Sequence, residues 1–269
     1  MPVAFLQTLL LFFVFSIPGY LMWKCLRPAS ASVITLIAVS FTTGYLVLTW
    51  LLYFLSLSFN LGFSAGNFLI LSAAATLIFA FIARAGRDSC FPSLRPVPSW
   101  EVAAFIAALF VGFVYYQNYS INQILDTFCL KDNIRLLIEP PSEPAYLLRH
   151  IVGDQREGGP AFSAGWIAFF PGNTAGFRMV YAFCGFSIAF FTFLALRAAL
   201  RKDALAFAVM LLASLHPYLF RIRGIDENLI SLSVSTFLIW LLLRRESCLS
   251  PLIGFAAAYL FNIRHENIP

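Results

Sequence analysis

SVITLIAVSFTTGYLVLTWLLYFLSL, residues 32–57, runs without a single Asp, Glu, Lys or Arg. A helix of that length is longer than the ~30 Å hydrocarbon layer, which about 20 apolar residues already cross. The stretch therefore reads as a transmembrane helix, and its neighbours repeat the pattern. Apolar segments at 3–23, 67–83, 102–116, 174–196, 204–220, 229–243 and 251–263 alternate with polar connections. The fold class that follows is all-α: a polytopic helical membrane protein with about eight transmembrane helices. Several of these segments are short and need flanking residues to reach both interfaces.

The charges are sorted by side. Alternating the spans puts Lys24, Arg27, Arg84, Arg87, Arg95, Arg197, Arg201, Lys202, Arg244 and Arg245 on one face, with Asp88, Glu101, Asp203 and Glu246. The opposite face carries more acids than bases. An excess of Lys and Arg marks cytoplasmic loops, so the N-terminus is expected outside, in a bacterial inner (plasma) membrane. The first apolar run precedes its basic residues and reads as an uncleaved anchor.

Composition agrees. The chain is 60% hydrophobic and 12% charged, with a mean hydropathy of +0.82, outside the range of soluble domains. Its net charge of +5 belongs to the loops and implies contact with anionic membrane lipid, not nucleic acid. The five cysteines form no Cys-x-x-Cys pair, and no His/Cys cluster indicates zinc. No metal ligand and no cofactor is assigned.

Trp23, Trp100, Tyr115 and Tyr116 fall at expected interfaces, where amphipathic rings are favoured. Pro18-Gly19 is expected to bend the first helix. His216, before Pro217, reads as a buried hydrogen-bonding residue, and Gly158-Gly159-Pro160 as a turn. The long external connection, 117–173, is too long for a simple link. Ile121, Ile124, Leu125 and Phe128 have amphipathic helical spacing, and Ser142 can cap a second helix reaching Val152. Residues 161–170 are too short to span. They are expected flat in the outer interface, with Phe162, Trp166, Phe169 and Phe170 dipping into lipid or protein.

Three polar clusters share the outer face: Asp126 with Lys131 and Asp132, the run from Arg221 to Asn228, and Arg264-His265-Glu266-Asn267. A carboxylate there can act as general base on a hydroxyl. Arginines can hold a phosphate and take up its charge as it leaves. Asp132, Glu139, Glu143, Asp154 and Glu157 read as solvated loop charges. Arg178 reads either as a helix-end anchor or as a ligand contact.

The order of these pieces resembles the GT-C superfamily of integral membrane glycosyltransferases, in its polyprenyl-phosphate-sugar branch. The resemblance covers residues 100–269. It rests on an early external acid, Gly159-Pro160-Ala161-Phe162, Gly176-Phe177-Arg178, Leu215-His216-Pro217 with its charged turn, and Arg264-His265-Glu266. It implies transfer of sugar from a polyprenyl-phosphate donor to an acceptor on the non-cytoplasmic face. By that likeness Asp126 is the general base, and Asp226 or Glu227 the second-loop acid. Arg178, Arg223 and Arg264 are then the phosphate-binding residues. The family's paired acid is here a lone Asp126. Residues 1–99 become an N-terminal three-span unit with a cytoplasmic linker, and 100–269 a core incomplete at its C-terminus. The short last span gives the expectation of an N-terminal fragment. Two other readings stay open: a non-catalytic membrane subunit or inactive fragment, and a transporter or lipid-handling protein. The sole charge within a span, Arg178, speaks against an ion path.

The threading has a direct check. Asp126→Cys and Asp226→Cys, made singly, are both expected to react with an impermeant thiol reagent on intact cells. Labelling of one from each side of the membrane refutes the topology.

Overall fold

The computed structural model describes residues 2–26, 28, 30–85, 94–118, 134–135, 137–139, 158–170, 174–216 and 227–263. Its helices are α1 (Pro2–Leu26), α2 (Val33–Phe59), α3 (Ala65–Ala85), α4 (Ser99–Asn118) and α5 (Gly158–Ile167). They continue with α6 (Thr174–Leu200), α7 (Asp203–Ser214), α8 (Glu227–Arg244), a 3-10 turn at Ser247–Leu249, and α9 (Ser250–Ile263). Among the described residues there is no β-strand, only an isolated parallel bridge between Ala31 and Leu94. The chain is an all-α polytopic membrane protein.

Five of these helices are long and apolar enough to cross a bilayer: Phe5–Leu26, Val33–Phe59, Ala65–Arg84, Ser99–Asn118 and Ala175–Leu200. In hydrocarbon every peptide group must bond within the chain, and an uninterrupted helix satisfies all but its ends. The three expected spans nearest the C-terminus correspond to shorter apolar helices. α7 has 12 residues, a length of about 18 Å. Lipid-facing side chains are large and apolar, as at Phe13, Ile70, Leu77, Phe81, Phe110 and Leu212.

Small residues set the helix crossings. A Cβ on Gly19 would lie 1.9 Å from the Ser40 carbonyl oxygen, and one on Gly44 would lie 1.9 Å from that of Phe15. α1 and α2 therefore touch backbone to backbone, the arrangement small residues permit between membrane helices. Pro18 lies inside an unbroken α1, and its neighbour Gly19 serves this crossing. Gly112 gives α4 the same close approach to α6, where a Cβ would meet the Ala182 carbonyl oxygen at 2.8 Å.

The segment 161–170 is buried throughout, so its rings meet protein and not lipid. Gly158-Gly159-Pro160 begins α5 instead of making a turn, as proline tolerates in a first helical turn. α5 is wedged at the level of Tyr45, midway along α2, whose hydroxyl donates to the Phe162 carbonyl oxygen. Around it Phe162 stands 5.0 Å from the Tyr45 ring, Trp166 5.8 Å from Phe41 and 5.5 Å from Phe183. Such aromatic pairs add about 1 kcal/mol each beyond area burial. The segment's far end brings Phe169 against Phe15 and Phe68, tying α5 to α1 and α3.

Two expected interfacial rings turn inward. Trp23 is fully buried and stacks on Trp240, with ring centroids 6.1 Å apart. Tyr115 is likewise buried, its hydroxyl donating to the Ser214 carbonyl oxygen at 3.0 Å. His216, expected to be buried, is exposed just past the end of α7, where the helical pattern has stopped.

The glycine crossing yields a stability prediction. Gly44→Ala should destabilise the protein in detergent by roughly 3 kcal/mol, because backbone stands where the methyl must go. Gly254→Ala, with nothing within 4 Å of its Cβ, should be neutral or slightly stabilising. Thermal unfolding of the two variants checks both, and equal midpoints would contradict the crossing.

Candidate functional site

Of the six residues assigned above, Asp126, Asp226, Arg223 and Arg264 lie outside the described residues. Glu227 opens α8, and its side chain also lies outside them. The two amphipathic helices expected within 121–152 are outside as well. Arg178 is described.

Arg178 sits in the first turns of α6, half-buried. Its guanidinium carbon lies 5.6 Å from the centre of the Tyr116 ring on α4. Such a contact contributes about 1 kcal/mol and leaves the N–H edges free for a ligand. The buried Nε has no hydrogen-bond partner among the described residues. Because a helical side chain leans toward its helix's N-terminus, Arg178 leans toward the end of the bundle that carries the long loop.

One turn deeper, the same two helix faces border a groove. Phe113 precedes Tyr116 by three positions and Ala182 follows Arg178 by four, spacings that share a helix face. The groove has a volume of about 270 Å³ and lies between the α1–α2 pair and the α4–α6 pair. Phe12, Phe41, Leu109, Trp166, Ala182 and Phe186 are among its walls, and Thr8 is the single polar lining residue. Trp166 comes from the wedged α5. Side chains at its rim, Ile37, Leu109 and Phe113, are exposed on the lipid-facing surface. An apolar cleft of this kind accepts hydrocarbon.

A second charged centre lies at the opposite end of the bundle. Glu101, in the first turn of α4, is completely buried. Its Oε1 accepts from the Ser32 hydroxyl and from Thr35 Oγ1 at 2.7 Å. Its Oε2 accepts from Arg197 Nη1 at 2.9 Å and from Arg95 Nη2 at 3.4 Å. Arg197 also donates through Nε to Asp203 Oδ1 at 3.0 Å. Ser32 caps α2 by accepting from the Thr35 amide at 3.0 Å. One carboxylate thus fastens the start of α2, the linker's end, the start of α4 and the end of α6.

The charge pattern assigned Glu101, Arg95 and Arg197 to one shared face, but only as topology determinants. The available signal was an acid in the first turn of an apolar helix, a costly place for a carboxylate without a partner. Nearby, Arg244 covers the stacked Trp23 and Trp240 rings at 5.7 and 5.5 Å and donates through Nε to Glu246 at 2.7 Å. Burial pushes the Cys248 thiol above its ordinary value, and the adjacent Glu246 carboxylate adds to the rise. Such a thiol is a poor nucleophile at neutral pH.

The chain matches no family model, no curated protein and no solved structure. The site must therefore be read from its own chemistry. A guanidinium with a free edge stands above an aromatic hydrocarbon groove, and a structural ion cluster secures the far end.

Glu101→Gln should lower stability by about 3 kcal/mol, since it removes the buried carboxylate that Arg197 and Arg95 share. Adding Arg197→Gln should recover part of the loss, with a coupling of 1 kcal/mol or more. Thermal unfolding of the single and double variants measures it, and strict additivity would show that the cluster carries no joint energy.

Proposed function

We propose that this protein is a membrane glycosyltransferase of the GT-C type, moving a sugar from a polyprenyl-phosphate donor to an acceptor on the non-cytoplasmic face. The observation that carries the reading is Arg178. It belongs to the Gly176-Phe177-Arg178 element of the resemblance. It stands at the end of a span and beside an apolar groove, a setting that suits the phosphate of a lipid.

In this reading Asp126 removes the proton from an acceptor hydroxyl. The freed oxygen pair forms a bond to the anomeric carbon, and the bond from that carbon to the phosphate oxygen breaks. The polyprenyl phosphate leaves with the electron pair. Arg178, Arg223 and Arg264 take up its charge, worth several kcal/mol in a site shielded from water. Asp226 or Glu227 orients the acceptor. In this reading the chemistry takes place on the outer side of a bacterial inner membrane.

The groove favours one other reading, a lipid-handling protein without catalysis, and a single assay separates the two. The protein in liposomes is given a polyprenyl-phosphate sugar with a radiolabelled sugar, and transfer to endogenous acceptors in membrane extract is followed. Transfer is expected, with Asp126→Asn reducing it at least about a hundredfold and leaving the fold intact. Arg178→Gln should reduce it about tenfold or more. Donor binding with no transfer would favour the lipid-handling protein, and full activity in Asp126→Asn would remove that residue as base.

A further inference from the structure

We propose that Arg201, Lys202 and Arg245 form a binding surface for the headgroup of an anionic two-chain phospholipid, at the linker end of the bundle. The surface lies at the end opposite Arg178 and is independent of the reaction proposed above. Three observations carry it.

First, two of these bases occupy a backbone position that does not suit them. Arg201 directly follows α6 and Arg245 directly follows α8, and both adopt the left-handed conformation at φ 53°. Each amide donates back into the helix it ends, Arg201 to the Arg197 carbonyl oxygen and Arg245 to that of Leu242, both at 3.1 Å. Glycine is favoured at such a position, because a Cβ is penalised there. Arginine stands at both, which the turn itself does not explain. Second, the charge is uncompensated. The acids described at this end are engaged by other arginines: Glu101 by Arg95 and Arg197, Asp203 by Arg197, Glu246 by Arg244. Arg201, Lys202 and Arg245 are exposed and form no ion pair among the described residues. Third, the two turns are neighbours at the edge of the hydrocarbon. Phe191 of α6 packs on Phe237 and Trp240 of α8 at 4.9 and 5.7 Å, so the helices run side by side. At 1.5 Å per residue, Arg201 lies about 15 Å and Arg245 about 10 Å beyond that contact. Packed helices stand about 8–10 Å apart, within the joint reach of two arginine side chains. Leu200, Leu205 and Leu242 beside the turns are exposed.

That combination selects the occupant. Guanidinium groups hold a phosphate through charge-assisted bonds, and bases at a membrane surface draw acidic lipid. The exposed leucines belong in hydrocarbon, so the bases stand at headgroup depth, where a long basic side chain extends toward water. An anionic phospholipid meets both parts at once, with its phosphate on the bases and its acyl chains on the leucines. A soluble acidic peptide meets only the bases.

The test uses the full chain in detergent micelles, given equal amounts of phosphatidylglycerol and phosphatidylcholine of one acyl length, with bound lipid read by native mass spectrometry. Phosphatidylglycerol is expected to be retained at least about fivefold over phosphatidylcholine. Arg201→Gly combined with Arg245→Gly suits both backbone positions, so the thermal midpoint should hold or rise while the preference disappears. Arg84→Gln, which removes an exposed base at the same end on α3, should leave the preference unchanged. Should the glycine pair fail to fold, the triple variant Arg201→Gln, Lys202→Gln and Arg245→Gln decides in its place. Equal retention of the two lipids by the unsubstituted chain, an undiminished preference in the variants, or an equal loss in Arg84→Gln overturns the proposal. So does displacement of phosphatidylglycerol by a soluble polyglutamate peptide.

Discussion

In a hydrocarbon layer a peptide group that leaves its helix finds no water, and much of this architecture answers that constraint. The long helices meet it by length alone. α5 cannot, because it has 10 residues and lies beside the middle of α2. It is admitted by full enclosure: Tyr45 donates to its Phe162 carbonyl oxygen, and rings from α1, α2, α3, α6 and α9 close around it and the residues that follow. Enclosure at that depth requires space beside α2. Gly165 supplies it, since a Cβ there would run into Thr49 and Tyr45 at 2.6 and 2.8 Å.

The two ends of the bundle use charge in opposite ways. At the linker end, Glu101 spends its whole acceptor capacity on Ser32, Thr35, Arg95 and Arg197. The carboxylate finds all its partners within the protein, as suits a fixed joint between segments distant in sequence. At the long-loop end, Arg178 is held by a ring that engages only its face. Its buried Nε has no hydrogen-bond partner among the described residues. That contrast, more than the mere presence of arginine, separates a candidate site from a structural cluster.

The groove joins these themes. Its walls come from both the N-terminal helices and the helices that follow the linker, and its floor from α5. Hydrocarbon inside such a cleft gains little over bulk lipid, whose tails are as apolar as its walls. Apolar walls alone therefore discriminate little, and the one charge near the slot among the described residues is Arg178, a turn away along α6.

The all-α membrane fold was legible from runs such as 32–57, because a charge-free stretch of that length has no stable alternative to a helix across a bilayer. Arg178 stood out for the same reason, as a charge inside a span. What the linear pattern could not reach was any pairing between spans. Glu101 meets Thr35 and Arg197 across 66 and 96 positions, and hydropathy carries no record of which helices touch. The fate of 161–170 was equally hidden, since an aromatic segment too short to span suits an interface and a protein interior alike. The sequence by itself determined that these helices lie in a membrane. Tertiary structure alone decided that Gly19, Gly44 and Gly112 bring backbones together, that Trp23 and Tyr115 turn inward, and that Trp166 of α5 lines a groove between two helix pairs. Apolarity sets the solvent of a helix, whereas close packing between particular surfaces sets its neighbours.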